Sequence, residues 1–342
     1  MFKIKIGKIK KINEELYFYG WIEDKRELGK IIFLTIKDFS GEIQVVVKKQ
    51  DQKDLWEISE RMPRQSIIRV DGKSVDNKGK IEIVPSSITL INEAIHPLPL
   101  DPSGRVKANI STYLDYRPLT LRIPEKRSIF RIKSKLLHEL RSWFIENEYL
   151  EITTPKIISA AAEGGAELFQ IKYFNLDAYL AQSPQLYKEQ LMLSVDKVFE
   201  IAQYYRAEKS HTTRHVTEFT SVDIEISFAD YLDVIKTINM LIQKTTKKLI
   251  ENTNEELKIL EVMPPQIEEK TQIITYKECV DFLNERDFEL KWGDDIGIDA
   301  LKILAEDYPG YYYIIDWPTE TKPFYIKSKN NDKSITESFD FM

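Results

Sequence analysis

Between residues 15 and 91 apolar and polar positions alternate in five short runs, at 15–25, 30–37, 42–48, 66–74 and 80–91. A period of two predicts strands with one buried face. Gly29 and Ser40-Gly41 stand where the first three runs must turn, and residues 52–62 change to helical spacing. Three strands, a helix and two strands is the order of a small closed β-barrel. Pro97, Pro99 and Pro102, with Ser103-Gly104 after them, mark a linker, so residues 1–101 are expected to form one domain, 102–128 a hinge and 129–342 a second domain.

In the second domain, Ile129, Ile132, Leu136, Leu140 and Trp143/Phe144 fall on one helical stripe, with Ser128 as the expected N-cap. The chain then turns extended through EYLEITTPKI and ends that run at Pro155. A loop of small residues with a Gly164-Gly165 pair spans 159–166, able to close over a ligand. In Gln182-Ser183-Pro184-Gln185-Leu186-Tyr187-Lys188 the serine is placed to cap a helix and the proline to begin it. Gln185 and Lys188 then share one helix face. Two period-2 runs within 197–228 form a β-hairpin with a long loop. On its first strand Glu200, Tyr204, Arg206 and Glu208 share a face. On its second, Phe219, Ser221, Asp223 and Glu225 share one face, while Val222, Ile224, Ile226 and Phe228 supply an apolar one. Residues 231–251 read as an amphipathic helix and 252–270, with Pro264-Pro265, as a polar surface insertion. The fold class expected is α+β.

Hydrophobic content of 42% and charge of 30% over 342 residues fit a globular protein with two cores and exclude a disordered or fibrous chain. A single cysteine, Cys279, excludes a disulfide framework and a multi-cysteine zinc site. The basic start MFKIKIGKIKK lacks the apolar stretch of a signal peptide, and no run reaches membrane-spanning length, so a cytoplasmic protein with no membrane partner is expected. Net charge is −6, but the acid excess lies wholly beyond residue 101. A local basic surface on the first domain is compatible with that.

The hairpin loop carries Lys209, His211, Arg214 and His215, a cationic set suited to an anion such as phosphate. Arginine offers a planar, permanently charged fork for phosphate oxygens, and an aromatic face such as Phe219 suits a purine. Cross-strand ion pairs on an exposed hairpin would account for charged alternation alone. His211 and His215 stand four apart, but in a loop and with no third ligand in view, so no metal is assigned to them.

The order Arg206-Ala207-Glu208, Thr213-Arg214-His215, Glu218-Phe219 and Asp223-x-Glu225 resembles motif 2 of the class II aminoacyl-tRNA synthetases, in the aspartyl/asparaginyl/lysyl subgroup. The helix and strand closing on Thr153-Thr154-Pro155 resemble motif 1, and QSPQLYK resembles the signature that separates aspartyl from asparaginyl enzymes in the archaeal and eukaryotic branch. GWIEDKRELGKIIFLTIKDFSGEIQ resembles the subgroup's anticodon-binding OB-fold. The resemblance implies a catalytic Arg206 on the α-phosphate of ATP, with Glu208 and Phe219 on adenine and Arg214 and His215 beside the nucleotide. It implies Lys188 on the side-chain carboxylate of L-aspartate, Glu163 and Gln185 at its amino end, and His215 and Asp223 close by. In the barrel it implies Phe33 stacking on an anticodon base, Gln44 reading a base edge and Arg26 on backbone or base. Phe33 reads equally as a core residue, although Ile32, Leu34 and Ile36 already supply an inward face.

By the same resemblance the second domain is an antiparallel sheet flanked by helices, the enzyme is a homodimer through motif 1, and Asp340 is the first carboxylate for Mg2+. The implied function is aspartate–tRNA ligase. The rival reading is a non-catalytic tRNA- or aspartate-binding paralogue; an asparagine-forming paralogue is weaker, since those lack an anticodon domain. The family continues past SFDFM into a second metal-binding glutamate, an arginine for the substrate α-carboxylate and motif 3, whereas this chain stops at Met342. On that reading the isolated chain is expected to bind tRNA but not to form aspartyl-adenylate.

Overall fold

The computed structural model describes residues 2–159, 168–207, 216–265 and 272–342. They fall into two compact units, Met1–Arg127 and Ser128–Met342. The first holds β1 (Phe2–Lys3), β2 (Glu15–Leu28), β3 (Ile31–Asp38), β4 (Gly41–Lys48), α1 (Lys53–Arg61), β5 (Ile67–Asn77), β6 (Lys80–Asn92) and the short helices α2 (Ile110–Asp115) and α3 (Arg117–Thr120). Strand β2 pairs with both β3 and β5, β4 runs parallel to β6, and β6 returns to β5, which closes the sheet into a barrel.

Alternation builds this barrel. Leu16, Phe18 and Ile22 on β2, Ile32, Leu34 and Ile36 on β3, Val45 and Val47 on β4 and Ile68 and Val70 on β5 all point inward and are buried. Each such side chain stabilises by about 1.5–3 kcal/mol, and a one-residue slip of register would lose the whole set. Gly29 joins β2 to β3 at φ +62°, and Lys78 and Gly79 join β5 to β6 at φ +53° and +82°, the left-handed geometry that tight hairpins need. Residues expected as a hinge from 102 onward cluster with the barrel as far as Arg127. Arg122 donates to Gln65 Oε1 at 2.7 Å and lies over the Trp21 ring at 4.7 Å.

The second unit takes in most of α4 (Pro124–Glu146), then β7 (Leu150–Glu151), β8 (Ile157–Ile158), β9 (Gln170–Tyr173), β10 (Leu176–Leu180), α5 (Gln185–Met192), β11 (Lys197–Tyr205) and β12 (Glu218–Ile226). It continues through α6 (Tyr231–Leu260), β13 (Gln272–Thr275), α7 (Tyr276–Asn284), α8 (Ile298–Asp307), β14 (Tyr312–Ile315) and β15 (Phe339–Phe341). Its three small sheets have the orders β8-β10-β9, β12-β11-β7 and β13-β14-β15. Their hairpins are antiparallel, but β7 joins β11 and β13 joins β14 in parallel, so the sheet structure is mixed. No helix among the described residues is long and apolar enough to cross a membrane.

Three elements differ from the reading of the sequence. Helix α4 begins at Pro124, and Ser128 lies buried inside it rather than capping it, because proline already fits the first turn. Helix α6 runs to Leu260, through residues expected as a surface insertion, because Leu249, Thr253 and Leu257 continue its buried stripe. Thr253 kinks it at φ −132° and donates to Leu249 O at 2.7 Å. Phe228, expected on the apolar face of the hairpin, sits beyond the end of β12 at φ +56° and is fully exposed.

Cys279 of α7 is buried in a core with Tyr276, Leu283, Ile314 and Trp317. Burial pushes its thiol up to about 12, so it stays protonated at neutral pH and acts as a small apolar side chain.

Candidate active site

The β11–β12 hairpin separates an apolar side from a polar one. On the apolar side, Phe199 and partly buried Ile201, Ile224 and Ile226 pack against Trp143 and Phe144 of α4, Tyr149, and Leu241 of α6. The rings of Phe144 and Phe199 stack at 4.6 Å. Directly opposed residues of an antiparallel pair point the same way. The register Tyr204↔Phe219, Glu200↔Asp223 and Val198↔Glu225 therefore gathers Glu200, Tyr204, Phe219, Asp223 and Glu225 on the other side.

Helix α5 brings Lys188 to that side. Ser183 Oγ accepts from Gln185 N at 3.3 Å as the helix begins, with Pro184 at the N-cap position rather than inside the first turn. The Lys188 ammonium lies 3.5 Å from Asp223 Oδ1 and 3.6 Å from Glu225 Oε2, and its side chain is only 12% exposed. It also donates to Ile224 O at 3.3 Å. Asp223 Oδ2 is buried and has no hydrogen-bond partner among the described residues, which leaves an open acceptor on the carboxylate that pairs with Lys188. Burial raises the Glu225 pKa; Lys188 opposes this, and Glu189 and Asp223 add to it. Gln185 donates from Nε2 to Glu189 Oε1 at 2.6 Å, which leaves its carbonyl oxygen to accept. A nearly buried ammonium can meet a ligand's acid group, and the open Asp223 oxygen beside it can meet a ligand's ammonium, so the arrangement can hold both ends of a small zwitterion.

Arg206 follows β11. Its N–H donates to Thr217 O at 3.0 Å and its guanidinium carbon lies 5.4 Å from the centre of the Phe219 ring. A planar cation beside an aromatic face is a pairing that serves phosphate and purine together. Glu163, Glu208, Arg214 and His215, and with them His211, lie outside the described residues.

Beneath these groups Glu200, 2% exposed, accepts four hydrogen bonds. They come from Thr154 N at 2.9 Å, Thr154 Oγ1 at 2.8 Å, Lys156 Nζ at 2.8 Å and Tyr204 OH at 2.6 Å. Burial alone would raise its pKa, but these donors outweigh burial and hold it below the ordinary carboxylate value. The stabilisation is therefore complete above the unfolded carboxylate's pKa and is lost as pH falls through the lower folded value. Tyr204 is pushed up, by burial first and by Glu200 second.

Asp340 of β15 stands opposite Ile314, and its Oδ2 accepts from Lys322 Nζ at 3.1 Å. Among the described residues no three ligating side chains come together, and the one carboxylate expected to hold magnesium is already paired with an ammonium.

On the barrel, Arg26 pairs across β2–β3 with Phe33, and Thr35 pairs across β3–β4 with Gln44, so adjoining rows of the outer face carry all three residues. Phe33 stands apart from the buried core. Arg26, whose side chain is 75% exposed, lies 3.1 Å from Asp24, and Gln44 Nε2 donates to Glu82 Oε1 at 3.0 Å.

Residues 109–342 match the family described as tRNA synthetases class II (D, K and N). The chain belongs to the class II tRNA synthetases. Residues 17–91 match the OB-fold nucleic acid binding domain, in the position of the closed barrel. The curated aspartate–tRNA(Asp/Asn) ligase of Methanococcus vannielii is 40% identical over 336 residues, which cover 96% of this chain and 76% of the relative. That of Sulfurisphaera tokodaii is 41% identical over 333 residues, 96% of this chain and 77% of the relative. Among solved structures, asparaginyl-tRNA synthetase of Pyrococcus horikoshii complexed with asparaginyl-adenylate is similar at TM-score 0.87 and 29% identity, covering 96% of this chain and 77% of the other. A putative aspartyl-tRNA synthetase from Leishmania major gives 0.85 and 25%, with 96% and 76% covered.

The synthetase resemblance and the α+β class with an N-terminal OB-fold, both read from the sequence, hold at family level. Among the groups gathered in this candidate site, Glu200, Tyr204, Glu225, Thr154 and Lys156 had no role assigned from sequence. Glu225 carried a signal, since Asp-x-Glu on a strand puts both carboxylates on one side. Lys156 carried none, because its partner lies 44 residues away.

Proposed function

We propose that the chain is an aspartate–tRNA ligase, using ATP to activate L-aspartate and passing the aspartyl group to tRNA. The observation that carries the amino-acid choice is Lys188, nearly buried between Asp223 and Glu225. In this reading the substrate's side-chain carboxylate meets the Lys188 ammonium and its α-ammonium meets the open Oδ2 of Asp223. Asparagine offers Lys188 no anion, and its amide would leave a desolvated ammonium without a new partner.

Arg206 and Phe219 take the nucleotide in this reading, the guanidinium on the α-phosphate and the ring on adenine. The aspartate α-carboxylate oxygen attacks the α-phosphorus, the bond to the bridging oxygen breaks, and pyrophosphate leaves with that electron pair. A hydroxyl of the tRNA terminal ribose then attacks the aspartyl carbonyl, and AMP departs. Positioning and charge neutralisation are the protein's main task. No step is assigned to a protein-held metal.

Arg26, Phe33 and Gln44 are the proposed anticodon contacts. The barrel-core alternative for Phe33 is disfavoured by the burial of Ile32 and Leu34 on either side of it. Phe33→Ala is expected to cost roughly 1–3 kcal/mol of tRNA affinity in a filter-binding titration, the range for one stacked base, with the melting transition of the barrel little changed. Unchanged tRNA affinity alongside a lowered melting temperature would return Phe33 to the core. We also propose a homodimer through α4 and the edge strand β7, supported by exposed Ile129, Ile145 and Leu150. A cytoplasmic location follows from tRNA as substrate.

A further inference from the structure

The buried group that the reaction does not use directly is Glu200, and its bonds lead to both halves of the site. Through Thr154 and Lys156 it grips the segment between β7 and β8. The Lys156 carbonyl accepts from Ala181 N at 3.0 Å, and Ala181 O accepts from Tyr205 N at 3.0 Å. Ala181 is the residue before QSPQLYK, and Tyr205 is the residue before Arg206. Through the Tyr204 hydroxyl, Glu200 also grips its own strand two residues short of Arg206. Tyr204 stands directly opposite Phe219, the ring beside the Arg206 guanidinium.

We propose that Glu200 is a positioning residue for ATP: its clamp on Thr154, Lys156 and Tyr204 fixes the end of β11 so that Arg206 and Phe219 meet the nucleotide in register. The four donors fill the carboxylate's acceptor directions, and the ion pair to Lys156 is shielded from solvent, with Glu200 2% and Lys156 27% exposed. Such a network is stiff when complete and costly when one member is changed. Arginine recognises phosphate through a planar fork, so small displacements of its strand translate into lost contact. Lys188 is held more directly from β12, through Asp223 and Glu225, so the aspartate contact depends on Glu200 less than the Arg206 end of β11 does. Loosening the clamp therefore weakens ATP more than aspartate.

This inference rests on the nucleotide reading of Arg206 and Phe219, and the test keeps the two apart. ATP and aspartate are titrated separately by calorimetry into the 342-residue chain and into the variants Glu200→Gln, Tyr204→Phe, Leu283→Ala and Arg206→Lys, each below its own melting temperature. Glu200→Gln preserves shape but sets an amide N–H either against Thr154 N and Lys156 Nζ or against Thr154 Oγ1 and Tyr204 OH. It is expected to weaken ATP binding roughly ten- to a hundredfold, the scale of one lost hydrogen bond to a charged group, with aspartate affinity falling by less. Tyr204→Phe removes one donor and is expected to shift ATP in the same direction by less, which keeps the test intact should Glu200→Gln fail to fold. Leu283→Ala, fully buried in a separate core, lowers stability without touching either ligand and is expected to leave ATP affinity alone. ATP affinity unchanged in Glu200→Gln and Tyr204→Phe, or ATP and aspartate lost in equal measure, overturns the positioning role. A parent chain that does not bind ATP, or an Arg206→Lys variant that binds it as the parent does, overturns the nucleotide reading itself.

Discussion

Lys188→Ala is expected to weaken aspartate binding by roughly a hundredfold or more, since removing one member of a buried charge pair costs about 3–5 kcal/mol. Two effects act in the same direction. The substrate carboxylate loses its cation, and Asp223 and Glu225, which now share the Lys188 ammonium at 3.5 and 3.6 Å, are left as unpaired neighbours that repel an incoming acid. ATP affinity should hold, because Arg206 and Phe219 lie at the other end of the hairpin strands. Calorimetry with each ligand alone decides this. Equal losses for both ligands would mean that the variant has lost its fold, and an intact aspartate isotherm would remove Lys188 from the site.

Arg206→Lys is expected to lower ATP affinity by roughly tenfold or more, in line with about 1.5–3 kcal/mol for a hydrogen bond to a charged group. Lysine keeps the charge but not the planar fork, so one strong contact replaces two. It also loses the flat face that guanidinium presents beside Phe219. Equilibrium titration of ATP into the variant checks the loss. Aspartate binding measured on the same sample should be unaltered, which separates a local effect from a general one.

Local rules carried much of the fold. In the barrel, alternation placed Ile32, Leu34 and Ile36 inside, because strand periodicity leaves each residue only two directions, while the pattern left Phe33 open between the core and the outer face. The hairpin split into apolar and polar sides for the same reason, and its register then joined Glu200 to Asp223 and Tyr204 to Phe219. Where the reading missed, a tertiary contact had outweighed local composition. Residues 252–260 look polar, yet the buried positions Thr253 and Leu257 continue the stripe of α6. Phe228 continues the strand alternation, but β12 ends at Ile226. The Ser227 hydroxyl then donates to Met192 O at 2.7 Å, and the positive φ that follows turns the ring to solvent.

The site was legible to different depths for similar reasons. Lys188 and Asp223 stood in recognisable motifs, so each could be named from sequence. That they lie beside one another depends on how α5 seats on β12, which no spacing encodes. Glu200 and Lys156 are further apart still in the chain, and a strand glutamate with a buried face reads as surface charge until its four donors are in view. Asp340 was likewise named from its motif, while the Lys322 ammonium beside it is a tertiary neighbour that no spacing encodes.

The measurement that bears most directly on the proposed function is a paired titration of L-aspartate and L-asparagine into the 342-residue chain at neutral pH. The two ligands have nearly the same shape and differ in one charge, so they report on Lys188 and its carboxylate neighbours and on little else. Aspartate is expected to bind more tightly by roughly a hundredfold or more, as befits a site whose buried polar groups are left unsatisfied by the wrong ligand. Equal binding of the two, or a preference for asparagine, would contradict the assignment to aspartate.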